Sequence, residues 1–212
     1  MNTIPALPTT PLAVRTVEYV RACETESVAN HSIRSYLFAE LLAVHEGLRP
    51  SVDFDADLLF FACVLHDLGT SPAASGNQRF EVDGADLGAA FLTDNGVDTR
   101  RVDLVWEAIA LHSSSGIAER RGTLAYLTRK GVALDFGAGS EFVTDTQADA
   151  LHSGYPRLQM VTSLVDEIVR HAARSPHNAP RYTIAGELVR ERDQDGHATT
   201  LEQAALTSRW GE

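Results

Sequence analysis

The adjacent side chains His66 and Asp67 are the part of this sequence best suited to chemistry. An imidazole beside a carboxylate can bind a divalent metal ion or exchange a proton. The pair follows an apolar run, Phe60-Phe61-Ala62-Cys63-Val64-Leu65, and precedes Leu68-Gly69. Because the run is apolar on every side, it is typical of a helix or strand that crosses a core. The two polar groups therefore end a buried element, where they need a partner.

That partner can be interpreted in two ways. His66 and Asp67 could simply hydrogen-bond to each other and hold the core together. Alternatively, they could share a metal ion with ligands from elsewhere in the chain. Asp53 or Asp55 as the N-cap, and Gly69 at a left-handed stop position, predict that the buried element is a helix.

Further candidate groups lie at predicted helix ends or turns. Asn30 is predicted to cap a helix that His31 opens, with Arg34 one turn further on. Glu81 falls in the first turn of another helix, where the dipole stabilises a carboxylate and from which it could also act on a substrate. Asp135 stands alone among apolar and glycine neighbours, an unusual setting for a solvated carboxylate.

His112 extends the apolar stripe of a further predicted helix, much as His66 ends its own run. Read together, His31, His66, Asp67 and Asp135 could converge on one divalent cation. Imidazole and carboxylate ligands suit zinc, iron, manganese or nickel and do not choose among them. Because the set contains no thiolate, an open, water-bearing catalytic site is favoured over a closed structural zinc site.

Length and composition restrict the class of protein. The 212 residues are 44% hydrophobic and 22% charged, as in an ordinary soluble globular domain. The net charge of -11 disfavours binding to nucleic acid. Two cysteines predict a reduced, cytoplasmic setting without a disulfide framework. The apolar runs fall short of the roughly 20 residues of a membrane span, and no export signal is expected.

The expected fold is all-α. Helical periodicity recurs along the chain, whereas the strict alternation typical of strands hardly occurs. We expect a mobile N-terminal arm over residues 1–12, one helical domain over residues 13–174, and a C-terminal extension over residues 175–212 that packs on the domain.

The order of a His, a His-Asp pair and a distant Asp resembles the HD-domain superfamily of metal-dependent hydrolases, and its cyanamide hydratase branch in particular. Six ordered pieces carry this resemblance across about residues 30–160. They are His31-Ser32-Ile33-Arg34-Ser35-Tyr36, Leu65-His66-Asp67-Leu68-Gly69-Thr70, Arg79-Phe80-Glu81-Val82-Asp83-Gly84-Ala85, Glu107-Ala108-Ile109-Ala110-Leu111-His112, Gly131-Val132-Ala133-Leu134-Asp135 and Tyr155-Pro156-Arg157.

The resemblance implies an HD-type helical bundle that holds one divalent ion, with zinc as the first expectation and iron, manganese or nickel as alternatives. The implied metal ligands are His31, His66, Asp67 and Asp135. The implied catalytic residues are Glu81, His112 and Asp67, and the implied substrate contacts are Arg34, Thr70 and Phe80.

The implied activity is hydration of a small nitrile, cyanamide to urea, by hydroxide formed at the metal. One alternative is an HD-type phosphohydrolase acting on a nucleotide or another small phosphate ester. That reaction needs cations near the metal, and Arg34, Arg79, Arg100 and Arg101 are the available supply. Another alternative is a non-catalytic helical module that keeps the metal as a staple. A small-molecule substrate is the expected partner, with a homo-oligomer also possible.

Overall fold

The computed structural model describes residues 4–195 and 198–211 of the chain. The prediction of an all-α fold is confirmed, since these residues form ten α-helices and no β-strand. Residues 1–3 of the predicted arm, and residues 196, 197 and 212 of the predicted extension, lie outside the described residues. Within the described ranges, no helix is both long and apolar enough to cross a membrane. The α-helices are α1 Pro11–Cys23, α2 Glu26–His45, α3 Ala56–Val64, α4 Phe80–Asp94, α5 Thr99–Ala110, α6 Thr123–Asp135, α7 Asp145–Gly154, α8 Met160–Ala172, α9 Ile184–Asp195 and α10 Thr200–Thr207.

Helix α2 is the centre of the bundle. Sixteen of its 20 residues are buried, so it packs against neighbours on almost every side. The closest crossing is with α6, where Gly131 leaves no room for a side chain. A Cβ at Gly131 would lie 2.3 Å from the Ser35 carbonyl oxygen. This close approach places His31 and Arg34 of α2 beside Asp135 at the end of α6.

Helix α2 begins earlier than the sequence predicted. Its first residue is Glu26, and Thr25 is the N-cap. Asn30 is therefore not a cap but lies inside the helix, where its side-chain amide donates to the carbonyl oxygen of Pro156. The prediction that His31 opens the helix is likewise wrong, because His31 is buried in the second turn.

Helix α3 is the predicted apolar element. Of its two predicted caps, Asp55 is the one used, since its carboxylate accepts from the Leu58 backbone N–H. The helix ends at Val64, so His66 and Asp67 lie in the turn that follows rather than in the last turn of the helix.

Gly69 has a different role from the predicted left-handed stop. It lies in the short 3-10 turn Leu68–Thr70, and its φ is not positive. A Cβ there would lie 1.8 Å from the Phe80 carbonyl oxygen. Gly84 on α4 faces the same contact, with its Cβ position 2.9 Å from the Gly69 nitrogen. The two glycines let the turn that carries His66 and Asp67 touch the backbone of α4.

The C-terminal helices build a second, smaller core against the bundle. Its buried members come mainly from α8, α9 and α10, together with Val28 and Phe80 of the bundle. Helix α9, which begins at Ile184, contributes Ala185 and Leu188 to this core. Helices α7 and α10 were not predicted from the sequence. The buried members beyond residue 175, which are Ala185, Leu188 and Ala205, share this core with Val28 and Phe80, and the division into arm, domain and extension stays a prediction.

Candidate metal centre

Three buried donor groups meet where α2 passes the turn after α3. His31, His66 and Asp67 each offer a ligand atom, and these atoms lie within 4.8 Å of one another. Oδ2 of Asp67 is 3.0 Å from Nε2 of His66 and 3.6 Å from Nε2 of His31. Ligand atoms at roughly 2.1 Å from a tetrahedral ion are about 3.4 Å apart, so these separations suit one cation. His112 adds a fourth donor atom, with Nε2 at 3.8 Å from Oδ1 of Asp67.

Hydrogen bonds on the other side of the rings fix which nitrogen of His66 and His112 is free. Nδ1 of His66 donates to the Cys63 carbonyl oxygen at 2.7 Å, and Nδ1 of His112 donates to the Ile109 carbonyl oxygen at 2.7 Å. A carbonyl oxygen only accepts, so the proton of each neutral ring is on Nδ1. Both rings therefore direct a lone pair on Nε2 towards Asp67.

In His31 a carboxylate, rather than a backbone carbonyl, accepts the hydrogen bond from Nδ1 and leaves Nε2 free. Its Nδ1 lies 2.6 Å from Oδ2 of Asp135, whose pKa is held well below its usual range because Arg34 and His31 outweigh the effect of burial. An ionised carboxylate only accepts, so His31 donates from Nδ1 and keeps its lone pair on Nε2. Partners of this kind are how proteins orient metal-binding histidines.

The atoms that face one another have no partner in the described chain. Nε2 of His31, Nε2 of His66 and Oδ2 of Asp67 are buried and make no hydrogen bond. Lone pairs 3.0 Å apart repel unless something positive lies between them. A proton between His66 and Asp67 would relieve that contact but leave Nε2 of His31 unpaired. A divalent cation satisfies all three atoms at once, so these residues fit a metal ion.

The protonation states also suit a metal ion. Burial opposes ionisation of Asp67, but the neighbouring histidines, His66 first, hold its pKa well below the usual range. Burial lowers the pKa of His31, and it lowers the pKa of His112 to about 4. Burial acts in the same direction on His66, yet the Asp67 carboxylate outweighs it and raises the pKa. A carboxylate among imidazoles that are mostly neutral is the donor state that binds divalent metals.

The Asp135 carboxylate lies on the opposite side of the His31 ring from Asp67. Its two oxygens accept from Nε and Nη2 of Arg34 at 2.7 Å each, and Nη1 of Arg157 lies 3.3 Å from Oδ1. It contacts the Nδ1 side of His31, whereas Asp67 faces the Nε2 side. In this arrangement the Asp135 carboxylate orients His31 and pairs with the buried Arg34, and its direct ligation of a metal ion stays a prediction.

Arg34 and Thr70 also differ from the predicted substrate contacts. The Arg34 guanidinium is fully buried and bonded to Asp135 and to the carbonyl oxygen of Tyr155. The Thr70 hydroxyl donates to the backbone carbonyl of Asp67 at 2.8 Å. Neither side chain lines the cavity in front of the cluster. Both side chains instead form hydrogen bonds with the residues next to the candidate ligand atoms.

Glu81 is a fixed charge beside His112. Its Oε1 accepts from Nη2 of Arg79 at 2.6 Å and from Oγ of Ser113 at 2.5 Å. Burial raises the pKa of Glu81, but Arg79, His112 and Ser113 together lower it below its ordinary value. Ser113 was missed from the sequence, where it reads as the start of a flexible Ser-rich break. Its position directly after His112 was the available signal.

A cavity of about 220 Å³ opens in front of the cluster. His31, His66, Asp67 and His112 form one end of it, and aliphatic and aromatic side chains form most of the wall. Phe80, a predicted substrate contact, lines this wall. Other lining residues are Arg129, Val132, Phe136, Leu164 and Ile168, none of which the sequence distinguished from ordinary core or surface positions.

Comparisons with known proteins give a family and two curated relatives. The family model described as HD domain matches residues 28–175, a segment that contains every residue of the cluster. Two curated relatives from Saccharomyces cerevisiae, named cyanamide hydratase DDI2 and cyanamide hydratase DDI3, are each 24% identical over 163 residues. The matches cover 75% of this chain and 72% of each relative. With a family match over most of its length and a buried His/Asp cluster in the matched segment, the chain belongs to the HD-domain family.

Proposed function

We propose that this protein is a metal-dependent enzyme that hydrates a small nitrile, with cyanamide to urea as the first reaction to assay. The observation that carries the proposal is the set of three buried, unpaired atoms on His31, His66 and Asp67 at the end of a cavity. Membership of the HD-domain family supports a metal-dependent enzyme. The names of the two yeast relatives support the choice of nitrile hydration.

His31, His66 and Asp67 hold the ion in this proposal, and Asp135 orients His31. A divalent ion bound there acidifies water and polarises the substrate. Zinc remains the first expectation, and iron, manganese and nickel are compatible with the same donors. The neutral Nε2 atoms are preset by hydrogen bonds, so no ring has to turn over to bind the ion.

His112 moves the proton. Hydration joins the oxygen of water to the nitrile carbon and adds a proton to the nitrile nitrogen. With a pKa of about 4, His112 is neutral at pH 7, so Nε2 can take a proton from the attacking water and pass it to the nitrogen. The ionised Glu81 stabilises the imidazolium during that transfer. The resulting imidic acid rearranges to the amide, which is urea when the substrate is cyanamide.

The phosphohydrolase alternative has weaker support because none of the four arginines named for it lines the cavity, where Arg129 is the single arginine among the described residues. Arg100 is exposed and does not line the cavity. The other three form ion pairs: Arg34 with Asp135, Arg79 with Glu81, and Arg101 with Asp55.

The test combines metal analysis with two assays. We expect the purified protein to contain about one divalent ion per chain, to release urea from cyanamide, and to release no phosphate from nucleoside monophosphates. Asp67→Asn should lose the urea signal, while Asp103→Asn, an exposed aspartate on α5, should keep it. Phosphate release without urea would overturn the nitrile assignment. Metal binding without either product would favour the non-catalytic module.

A further inference from the structure

The cavity in front of the cluster is much larger than cyanamide requires. Cyanamide has three heavy atoms, whereas the cavity measures about 220 Å³. For scale, a protein cavity of roughly 150 Å³ lined by aliphatic and aromatic side chains stays dry and binds benzene. A three-atom molecule would therefore leave most of this space empty. The size of the cavity points to a substrate with a body at least as large as a benzene ring.

The wall of the cavity defines the chemistry of that body. Phe80 lies beside His112, with ring centroids 5.6 Å apart. The lining also includes Val132 of α6, Phe136 directly after α6, and Leu164 and Ile168 of α8. None of these five side chains can hydrogen-bond to a ligand. Such a surface favours an aromatic or branched aliphatic group, because burial of apolar area is its main source of binding free energy.

One charged group interrupts the apolar wall at a distance from the cluster. Arg129 is the single Lys or Arg among the described residues that line the cavity. It lies on α6 six residues before Asp135, which is about 9 Å along the helix axis. Arg129 is half-buried and its Nε makes no hydrogen bond; the described carboxylate that its charge influences is Glu119, whose pKa it lowers without a direct ion pair. A half-buried guanidinium without a direct ion pair can bind a carboxylate supplied by a ligand.

We infer that the substrate is an apolar-bodied carboxylate of about benzene size, with its reacting group at the His31/His66/Asp67 cluster and its carboxylate on Arg129. The identity of the reacting group, a nitrile, rests on the proposed function. The shape and charge of the rest of the molecule rest on the cavity alone. Cyanamide then reports the chemistry of the site without filling its specificity pocket.

Binding measurements test the shape independently of turnover. Isothermal titration would compare 4-cyanobenzoate, which carries both features, with benzonitrile, which lacks the carboxylate. We expect the carboxylate to lower Kd at least about tenfold, the usual effect of one charge-assisted hydrogen bond. Product formation from both nitriles and from cyanamide is followed separately by chromatography.

Arg129→Gln is the informative variant because it removes the charge and keeps much of the length. It should abolish the difference in Kd between 4-cyanobenzoate and benzonitrile. Lys130→Gln is the matched control, since Lys130 is the adjacent cation on α6 and does not line the cavity. That variant should preserve the difference. An equal loss in both variants would overturn the role of Arg129.

The outcomes separate this inference from the proposed function. If cyanamide is hydrated but neither aromatic nitrile binds, the inference on substrate shape fails and the proposed function stands. If 4-cyanobenzoate binds through Arg129 but no nitrile is hydrated by the metal-loaded protein, the reaction is overturned and the inference on shape stands.

Discussion

Two buried contacts in the described part of this molecule join a histidine to an aspartate, and the two contacts have different roles. In the first, His171 donates from Nε2 to Asp83 at 2.7 Å, and Asp83 also accepts from Ser75 Oγ and the Gly76 N–H. Both Asp83 oxygens are thereby satisfied. In the second, Oδ2 of Asp67 faces two lone pairs and has no hydrogen bond at all.

The comparison shows that residue type and burial do not separate a structural pair from a functional one. The Asp83 pair ties the loop after the 3-10 turn to α4 and α8, and it borders no cavity at the cluster. The Asp67 group leaves its donor atoms unpaired next to an open volume of about 220 Å³. The Asp83 carboxylate has completed hydrogen bonds, and a single atom of that pair, Nδ1 of His171, has none; three unpaired atoms face one another at Asp67 and identify it as a site that needs a further group.

Neutralising each aspartate in turn should give the largest contrast. Asp67→Asn is expected to abolish metal binding and reduce urea formation to background, because it removes the shared anionic ligand. Asp83→Asn should keep the metal and cost about 1–3 kcal/mol of stability. Metal analysis measures the bound ion, and urea denaturation measures the free energy of unfolding of both variants. Equal loss of metal in both variants would contradict the distinction between the two aspartates.

Replacement of His112 tests whether it belongs to the metal or to the proton transfer. We expect His112→Gln to retain the ion and to lower kcat for nitrile hydration about 10²- to 10⁴-fold, the range typical of a lost acid–base group. His45→Gln, an exposed histidine at the end of α2, is the matched control and should behave as wild type. Loss of the ion in His112→Gln would instead assign Nε2 to the metal.

Asp135 is expected to contribute both to the stability of the fold and to metal affinity. Asp135→Ala leaves Arg34 buried without its carboxylate, which typically costs about 3–5 kcal/mol. Loss of the acceptor for His31 Nδ1 should also weaken metal affinity about 10- to 100-fold. Asp135→Asn should be milder in both, because an amide oxygen can still accept. Unfolding curves and competitive chelator titrations give the two values, and a wild-type metal affinity in Asp135→Ala would exclude the orienting role.

The smallest expected effect is in the pH dependence of stability. Burial raises the pKa of Asp83, but hydrogen bonds from Ser75 and His171 outweigh it, and the net pKa is lowered. Its stabilising contribution is therefore present above the unfolded pKa of about 3.9 and is lost as pH falls through the folded value. The stability difference between wild type and Asp83→Asn should shrink between about pH 5 and pH 3. A difference that grows over this range would contradict the sign.

The position of His66 and Asp67 was predictable because its signal is local. A fully apolar run followed by two polar residues reports a buried element and its end within a dozen residues. The Asp55 cap was readable for the same reason. Helix α7 was also within reach, since Thr144 and Gln147 form a capping box with its usual spacing, and the sequence analysis did not use that signal.

Other features depend on contacts that the sequence order hides. Asp135 and Arg34 are 101 residues apart, and only their burial on facing helices forces them to pair. The sequence grouped Asp135 with the ligands by its apolar and glycine neighbours and by the family resemblance, and neither signal reports the pairing with Arg34. Gly69 illustrates a second limit. A left-handed turn and a close backbone contact both require glycine, and only the neighbouring Phe80 carbonyl oxygen shows which applies.

Part of the cavity lining comes from a different part of the chain than the candidate ligand residues. Ile184 of α9 and Leu201 of α10 complete the lining, and both lie beyond residue 175, where the family match ends. The ligand donors all lie within the matched segment. Substitutions in α9 and α10 can therefore change which molecules the cavity accepts while every ligand donor stays unchanged. These two helices are the natural target for altering selectivity by engineering.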